Sequence, residues 1–341
     1  MHQFLGTEFA RFADECRNSS PLYERLSLAV ASDSELLTLA AHARPGQMVP
    51  NLFFAAVRFL LLKGIQHPLS VFYNSVSGPQ GWSEDPYPKF RSFCLEHEEE
   101  IRRLISVRLV QTNEVGRCAC LLPIFGLVSR QSQGRPLYIL EIGTAAGLIL
   151  LWDRYGYKYG ESLYCGDRDS PVQITCALRG DLLPPLPEIL PEVAVRIGVD
   201  LNPIDVHDSV ETLWLRALVW PEHARRARLL DNAIQVAQQN PPKLMAGDGT
   251  ELLPGLLAAI PEGTVPCIVR TWTTLAPKAR EQLLSVIALY GAKRDVFVIS
   301  TKGHHGDRTG LELISFQNGV KTDRLLANCE SHGEWLEWLW A

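Results

Sequence analysis

Glu141, Gly143, Thr144 and Gly147 fall within the seven residues EIGTAAG, directly after the apolar run Leu137 to Leu140. A glycine just past a buried strand lets the chain turn tightly and lets a ligand approach the backbone. A helix starting there would offer free N–H groups to polar or anionic atoms. Glu141 is a carboxylate at the end of an apolar strand, where an unpaired charge is costly, so it is read as facing a site or anchoring its own loop. Two further acids occupy comparable positions. Asp200 ends VAVRIGVD, where a carboxylate could accept hydrogen bonds from both hydroxyls of a ribose. Asp248 ends PKLMAGD, within reach of an exocyclic amine of adenine. Asp167 and Asp169 in YCGDRDSP rival Asp200, but VRIGVD is the better buried strand.

The elements that must position these groups follow from hydrophobic spacing. QTNEVGRCACLLPIFGLVS reads as a helix leading into the first strand, with Thr112 or Asn113 as its cap and Glu114 in its first turn. Packed back on the sheet, such a helix runs antiparallel to that strand. Its start then lies beside Gly143, with Asn113, Glu114 and Arg117 bordering the pocket. A carboxylate of an amino-acid moiety would suit the helix start or Arg117, and Glu114 would face an ammonium group. Plain capping by Asn113 explains the same residues equally well.

Further strands are expected at 193–200, 242–248, 265–272, 294–300 and 311–316, separated by helices or long connections. Near-continuous apolar strands of this kind belong to a parallel, doubly wound α/β sheet, with a nucleoside pocket along its carboxyl edge. The period-two run Val172, Ile174, Cys176, Leu178 predicts a β-hairpin, in an insertion over about residues 157–191. Residues 1–110 show helical stripes throughout and are expected to form an all-helical domain or cap, with 111–341 forming the sheet domain. DSVETLWLRALVWPEHARRARLLDNAIQVAQQ reads as two helices interrupted at Pro221, with Trp214, Leu218, Trp220, Leu229 and Val236 packed against the sheet.

Trp272, after the strand at 265–272, is a candidate substrate-facing group, although a tryptophan there is more often core. His304 in STKGHHGD is a weak candidate for a general base, since loop histidines more often do nothing specific.

The 341 residues carry a net charge of -5, with 46% apolar and 21% charged residues. That composition is ordinary for a globular protein and argues against a general nucleic-acid binder. The longest apolar run, NLFFAAVRFLLLKG, is interrupted by Arg58 and too short to span a bilayer. The N-terminus lacks the pattern of a secretory signal. Eight cysteines without metal-ligand spacing fit reduced thiols in a soluble cytoplasmic protein. No serine elbow, phosphate-binding Walker loop or HExxH zinc motif is present, and no metal site is expected.

The strand-end series resembles class I S-adenosylmethionine-dependent methyltransferases, whose first motif is E-x-G-x-G-x-G. Ala145 replaces the middle glycine. The resemblance implies a Rossmann-like sheet with helices on both faces. It also implies S-adenosylmethionine as cofactor and a small-molecule acceptor. A ligand-binding protein that kept this fold without the chemistry is the alternative. A nicotinamide dehydrogenase is weaker, because the spacing is not G-x-G-x-x-G. Over nearly the whole chain, VPNLFFAAVRFLL, FRSFCLEHEEE, QTNEVGR, LEIGTAAGLILLWDRYGYKYG, DSPVQI, LNPIDV and WLRALVWPEH are also similar to a bacterial family of unknown function, domain-of-unknown-function family 2332. That likeness implies a methyltransferase-like fold of unassigned role.

Overall fold

The computed structural model describes residues 2–73, 83–273, 276–305 and 308–340, with the side chains of His304 and His305 outside the described set. The fold is mixed α/β and divides into two compact units. One comprises Met1–Thr112 with His207–Arg228, the other Asn113–Val206 with Leu229–Ala341.

In the first unit the described elements are helices, several of them started by a recognisable signal. Ser20 accepts the Tyr23 N–H ahead of the Pro21–Val30 helix, with Pro21 at its first position. Asp33 and Asp208 cap Ser34–Ala40 and Ser209–Leu218 in the same way. The Val49–Leu62 helix is buried on nearly every face. Its Arg58 spends its charge on the carbonyls of Arg216 and Ala217, at 2.6 and 3.5 Å, near the end of the Ser209–Leu218 helix, where the dipole favours a cation.

Trp214, Leu218 and Trp220 join this core rather than the sheet. Trp220 packs edge-on against Phe12 at 5.4 Å, and the Trp214 indole N–H donates to Leu109 O at 2.9 Å. The 3.6-residue stripe in the sequence was the correct signal. It does not say which core the stripe serves.

Among the described residues the second unit holds eleven strands. They are β1 (Leu137–Ile142), β2 (Gly156–Tyr159), β3 (Leu163–Gly166), β4 (Gln173–Arg179), β5 (Val193–Asp200), β6 (Lys243–Ala246), β7 (Val265–Arg270), β8 (Val296–His305), β9 (Arg308–Gln317), β10 (Val320–Cys329) and β11 (Trp335–Trp338). Their order in the sheet is β3-β2-β4-β11-β10-β9-β8-β7-β1-β5-β6. β1 lies parallel between β5 and β7, with β6 and β8 continuing the parallel set outward. β8 to β11 then form an antiparallel meander.

Every residue of β1 and β7 is buried, which is why these segments read as unbroken apolar runs. Tyr138, Leu140, Ile142, Ile268, Val298 and Ile314 form one face of the core. They pack with Leu253 and Leu257 of the Gly249–Ala258 helix and with Leu283 and Ile287 of the Pro277–Gly291 helix. The Cys118–Gln131 helix is buried along nearly its whole length, and its Phe125 stacks on Trp152 at 4.4 Å.

The inserted segment differs from the expected hairpin. The antiparallel pair is β2 with β3, whereas the period-two run forms β4, parallel to both β2 and β11. Val172, Ile174 and Cys176 are buried as their spacing requires, but β4 has neighbours on both sides and so continues the main sheet. All eight cysteines are free thiols. Among the described residues no helix is long and apolar enough to cross a membrane.

Candidate functional site

From β1 the parallel set builds out on one side through β5 and β6, and on the other through β7 and β8. The order of connection therefore reverses between β1 and β7, the position favoured by ligands in open α/β sheets. Gly143 to Gly147 follow β1 and Thr271 to Thr273 follow β7, and the two loops touch, with Thr273 Oγ1 donating to Ile142 O at 3.2 Å.

The loop after β1 runs through left-handed conformations at Gly143 (φ 81°), Ala145 (φ 50°) and Gly147 (φ 72°). Ala145 thus adopts a left-handed backbone that favours glycine, despite its methyl group. A short 3-10 helix, Leu148–Arg154, follows.

The expectation of free N–H groups in this loop is corrected. Gly143 and Thr144 donate to Val199 O at 2.8 and 3.3 Å, and Gly147 donates to Thr144 O at 2.9 Å. Ala145 donates to Asp200 Oδ2 at 2.8 Å, and Ala146 to Asn113 Oδ1 at 3.2 Å. Each amide is satisfied within the protein, because the loop is short enough to lie against the ends of β1 and β5. The glycines are also explained by packing. A side chain on Gly143 would come within 2.2 Å of Thr273 Oγ1, and one on Gly147 within 2.8 Å of Pro242.

Glu141 is buried on β1 and accepts the Thr144 hydroxyl at 2.5 Å. Burial raises its pKa to about 8, with the Asp200 carboxylate adding to the rise, while the Thr144 hydrogen bond and the Arg117 charge oppose it. Asp200 serves the loop amides of Ala145 and Asn202. Asp248 caps the Gly249–Ala258 helix, accepting the Thr250 N–H and hydroxyl at 2.7 and 2.6 Å, both on Oδ1.

The helix expected to begin at Thr112 or Asn113 instead begins at Cys118, after a 3-10 turn over Val115–Arg117. Asn113 therefore caps nothing of its own. It receives the Ala146 amide, while its Nδ2 is buried with no hydrogen-bond partner among the described residues. Glu114 is buried at the start of that turn. Arg117 lies over the Trp272 ring at 4.4 Å and donates from Nε to Ser331 O at 2.8 Å.

Ser331 belongs to a turn that sequence reasoning missed. Glu330 accepts the His332 N–H at 2.7 Å and pairs with His332 Nδ1 at 2.8 Å. Burial alone would raise the Glu330 pKa, yet the bonds and charge of His332 bring it down to about 2. Gly116 and Gly333 allow this turn to touch the Val115–Arg117 segment, since a side chain on Gly116 would meet His332 O at 2.2 Å. The string ESHG between two apolar stretches was its only trace in the sequence.

Trp272 sits in a left-handed conformation (φ 51°), and its backbone N–H donates to Thr301 Oγ1 at 3.2 Å. Its indole nitrogen and the Thr271 hydroxyl are buried with no hydrogen-bond partner among the described residues. His304 lies on β8 opposite Thr309, and its side chain is outside the described residues. The structure thus brings Asn113, Arg117, Glu141, Gly143, Thr144, Asp200 and Trp272 into one linked set of contacts, with Asp248 one strand further out.

A mixed α/β protein with polar groups gathered where the order of its parallel strands reverses is the class defined by this arrangement. The chain belongs to a family of uncharacterised proteins conserved in bacteria, DUF2332, whose model matches residues 7–338. No curated protein and no solved structure matches it.

Proposed function

We propose that the sheet unit is a Rossmann-like, methyltransferase-type domain that binds S-adenosylmethionine at the carboxyl ends of β1, β5 and β7 and methylates a small-molecule acceptor. In the same reading residues 1–110 form a helical domain. The observation that carries the proposal is the strand order β6-β5-β1-β7-β8, with buried donors at its point of reversal that have no partner among the described residues. Asn113 Nδ2, Thr271 Oγ1 and Trp272 Nε1 are buried polar atoms that a polar ligand would satisfy.

The cofactor supplies an electrophilic methyl group on a sulfonium. The Arg117–Trp272 pair offers a flat wall for orientation, Asp200 at the end of β5 would contact the ribose, and Glu141 holds Thr144 in place. Catalysis would rest on positioning, with the acceptor's proton passing to a base such as His304 only if that acceptor is protonated.

Calorimetric titration of the full chain with S-adenosylmethionine and S-adenosylhomocysteine tests this. Binding that weakens about tenfold or more in Trp272→Ala and Asn113→Ala is expected. Absence of heat at millimolar ligand, with folded protein, would overturn it.

One observation favours a second reading, ligand binding without transfer. The amides of residues 143–147 and the carboxylates of Asp200 and Asp248 all serve the protein's own loops. Nucleoside binding with no turnover of any acceptor would select it.

A further inference from the structure

Behind the Thr271–Thr273 loop, three polar residues face one another across adjacent strands. Arg270 at the end of β7 is opposite Ser300 of β8, and Ser300 is opposite Glu312 of β9. Register partners share a face, so the row continues the surface formed by Ile268, Val298 and Ile314. Lys302, two residues beyond Ser300, and Arg280, in the first turn of the Pro277–Gly291 helix, complete the cluster.

Charge in this cluster is unbalanced. Glu312 is 1% exposed; Ser300 donates to its Oε1 at 2.6 Å, and Arg280 and Lys302 approach at 3.4 and 3.1 Å. Lys302 has only a loose second contact, with Asp323 at 3.9 Å. Arg270 is 7% exposed, yet its one hydrogen bond runs from Nη1 to Thr273 O at 3.4 Å, and no carboxylate pairs with it among the described residues. A guanidinium has five donor hydrogens, and buried charges are normally paired. Burial, and then the neighbouring Arg280, lower the Arg270 pKa, while the Glu312 charge opposes the fall.

We propose that Arg270, Arg280 and Lys302 form a binding site for an oxyanion, the phosphate or carboxylate group of a small molecule. Planar, forked arginine donors suit either group, and the half-exposed Arg280 and Lys302 leave the cluster open to solvent on one side. Because Arg270 also holds Thr273 O, an anion here would brace the loop that carries Trp272. The inference does not depend on methyl transfer.

Thermal unfolding of the full chain, in inorganic phosphate or in acetate against sodium chloride of equal ionic strength, tests it. At least one of the two should raise the midpoint by about 2 °C or more. Phosphate alone would mark a phosphate ester as the ligand class, acetate alone a carboxylate. Arg280→Gln and Lys302→Gln, both at half-exposed positions, should each reduce the rise, whereas Arg44→Gln in the other unit should preserve it. No rise with either anion, or a rise unchanged in R280Q and K302Q, would overturn the proposal. S-adenosylmethionine titration of the same proteins reads the previous proposal separately.

Discussion

Asp200 at the end of β5 accepts the backbone N–H of Ala145 at 2.8 Å, so one strand's terminal carboxylate holds the loop that leaves its neighbour. The same carboxylate takes the Asn202 amide at 2.9 Å. Hydrogen bonds to a charged acceptor contribute more than neutral ones. Asp200→Ala should therefore destabilise the fold by about 2–3 kcal/mol, and hydrogen exchange at the Ala145 amide should accelerate. An unchanged exchange rate there would show that the loop is held by other contacts.

Ala145 is predicted to be neutral toward glycine. A left-handed alanine costs roughly 1–2 kcal/mol, which Ala145→Gly would recover. Against that stand about 0.8 kcal/mol for the buried methyl and up to about 1 kcal/mol of chain entropy. The expected net change is within about 0.5 kcal/mol by denaturant unfolding, whereas the β-branched Ala145→Val should cost over about 2 kcal/mol. A large loss in Ala145→Gly would mean that the methyl group is indispensable to packing.

Gly143 and Thr273 should be energetically coupled. Gly143→Ala introduces a methyl 2.2 Å from Thr273 Oγ1 at a φ of 81°, for an expected loss of about 2–3 kcal/mol. Adding Thr273→Ala removes the two nearest atoms and should restore about 1 kcal/mol. Strict additivity in the double-mutant cycle would disprove the contact.

Glu141 should make stability fall as pH rises. Its folded pKa of about 8 lies above the usual 4.5, so between these values the folded state binds more protons than the unfolded state. Stability contributed by this group is full below pH 4.5 and lost progressively toward pH 8, by at most about 1.4 kcal/mol per pH unit. Glu141→Gln keeps an acceptor for Thr144 and should flatten that slope. Parallel profiles for both proteins, measured by thermal unfolding at several pH values, would contradict the assignment.

What the amino-acid pattern disclosed depends on burial. β1, β7, β8 and β9 were legible because strands buried on both faces read as unbroken apolar runs, whereas the partly buried β5 and the edge strand β6 were legible from apolar runs bounded by turn residues. β10 was not, since six of its ten residues are exposed and it carries no apolar run. β2 and β3 are too short to show a period. At the candidate site, Glu141 and Asp200 announced themselves as acids ending apolar strands. Glu312 gave the same signal inside LELISF, but its partners Arg270, Arg280 and Lys302 are joined only by register and helix packing. Asn113 was expected to lie beside Gly143, although whether the asparagine would serve its own turn or the adjoining loop is a matter of a few ångströms that spacing does not resolve.

The position of β11 governs how this sheet is assembled. β4 pairs on one side with β2, made just before it, and on the other with Trp335 to Glu337, among the last residues described. During synthesis β2, β3 and β4 can associate with one another early, but their link to the remaining strands must await a partner emerging much later. Long-range closure of this kind is slow, and it leaves an unpaired edge exposed in the interim. The nascent chain would then depend on that late strand to shield β4 from other polypeptides.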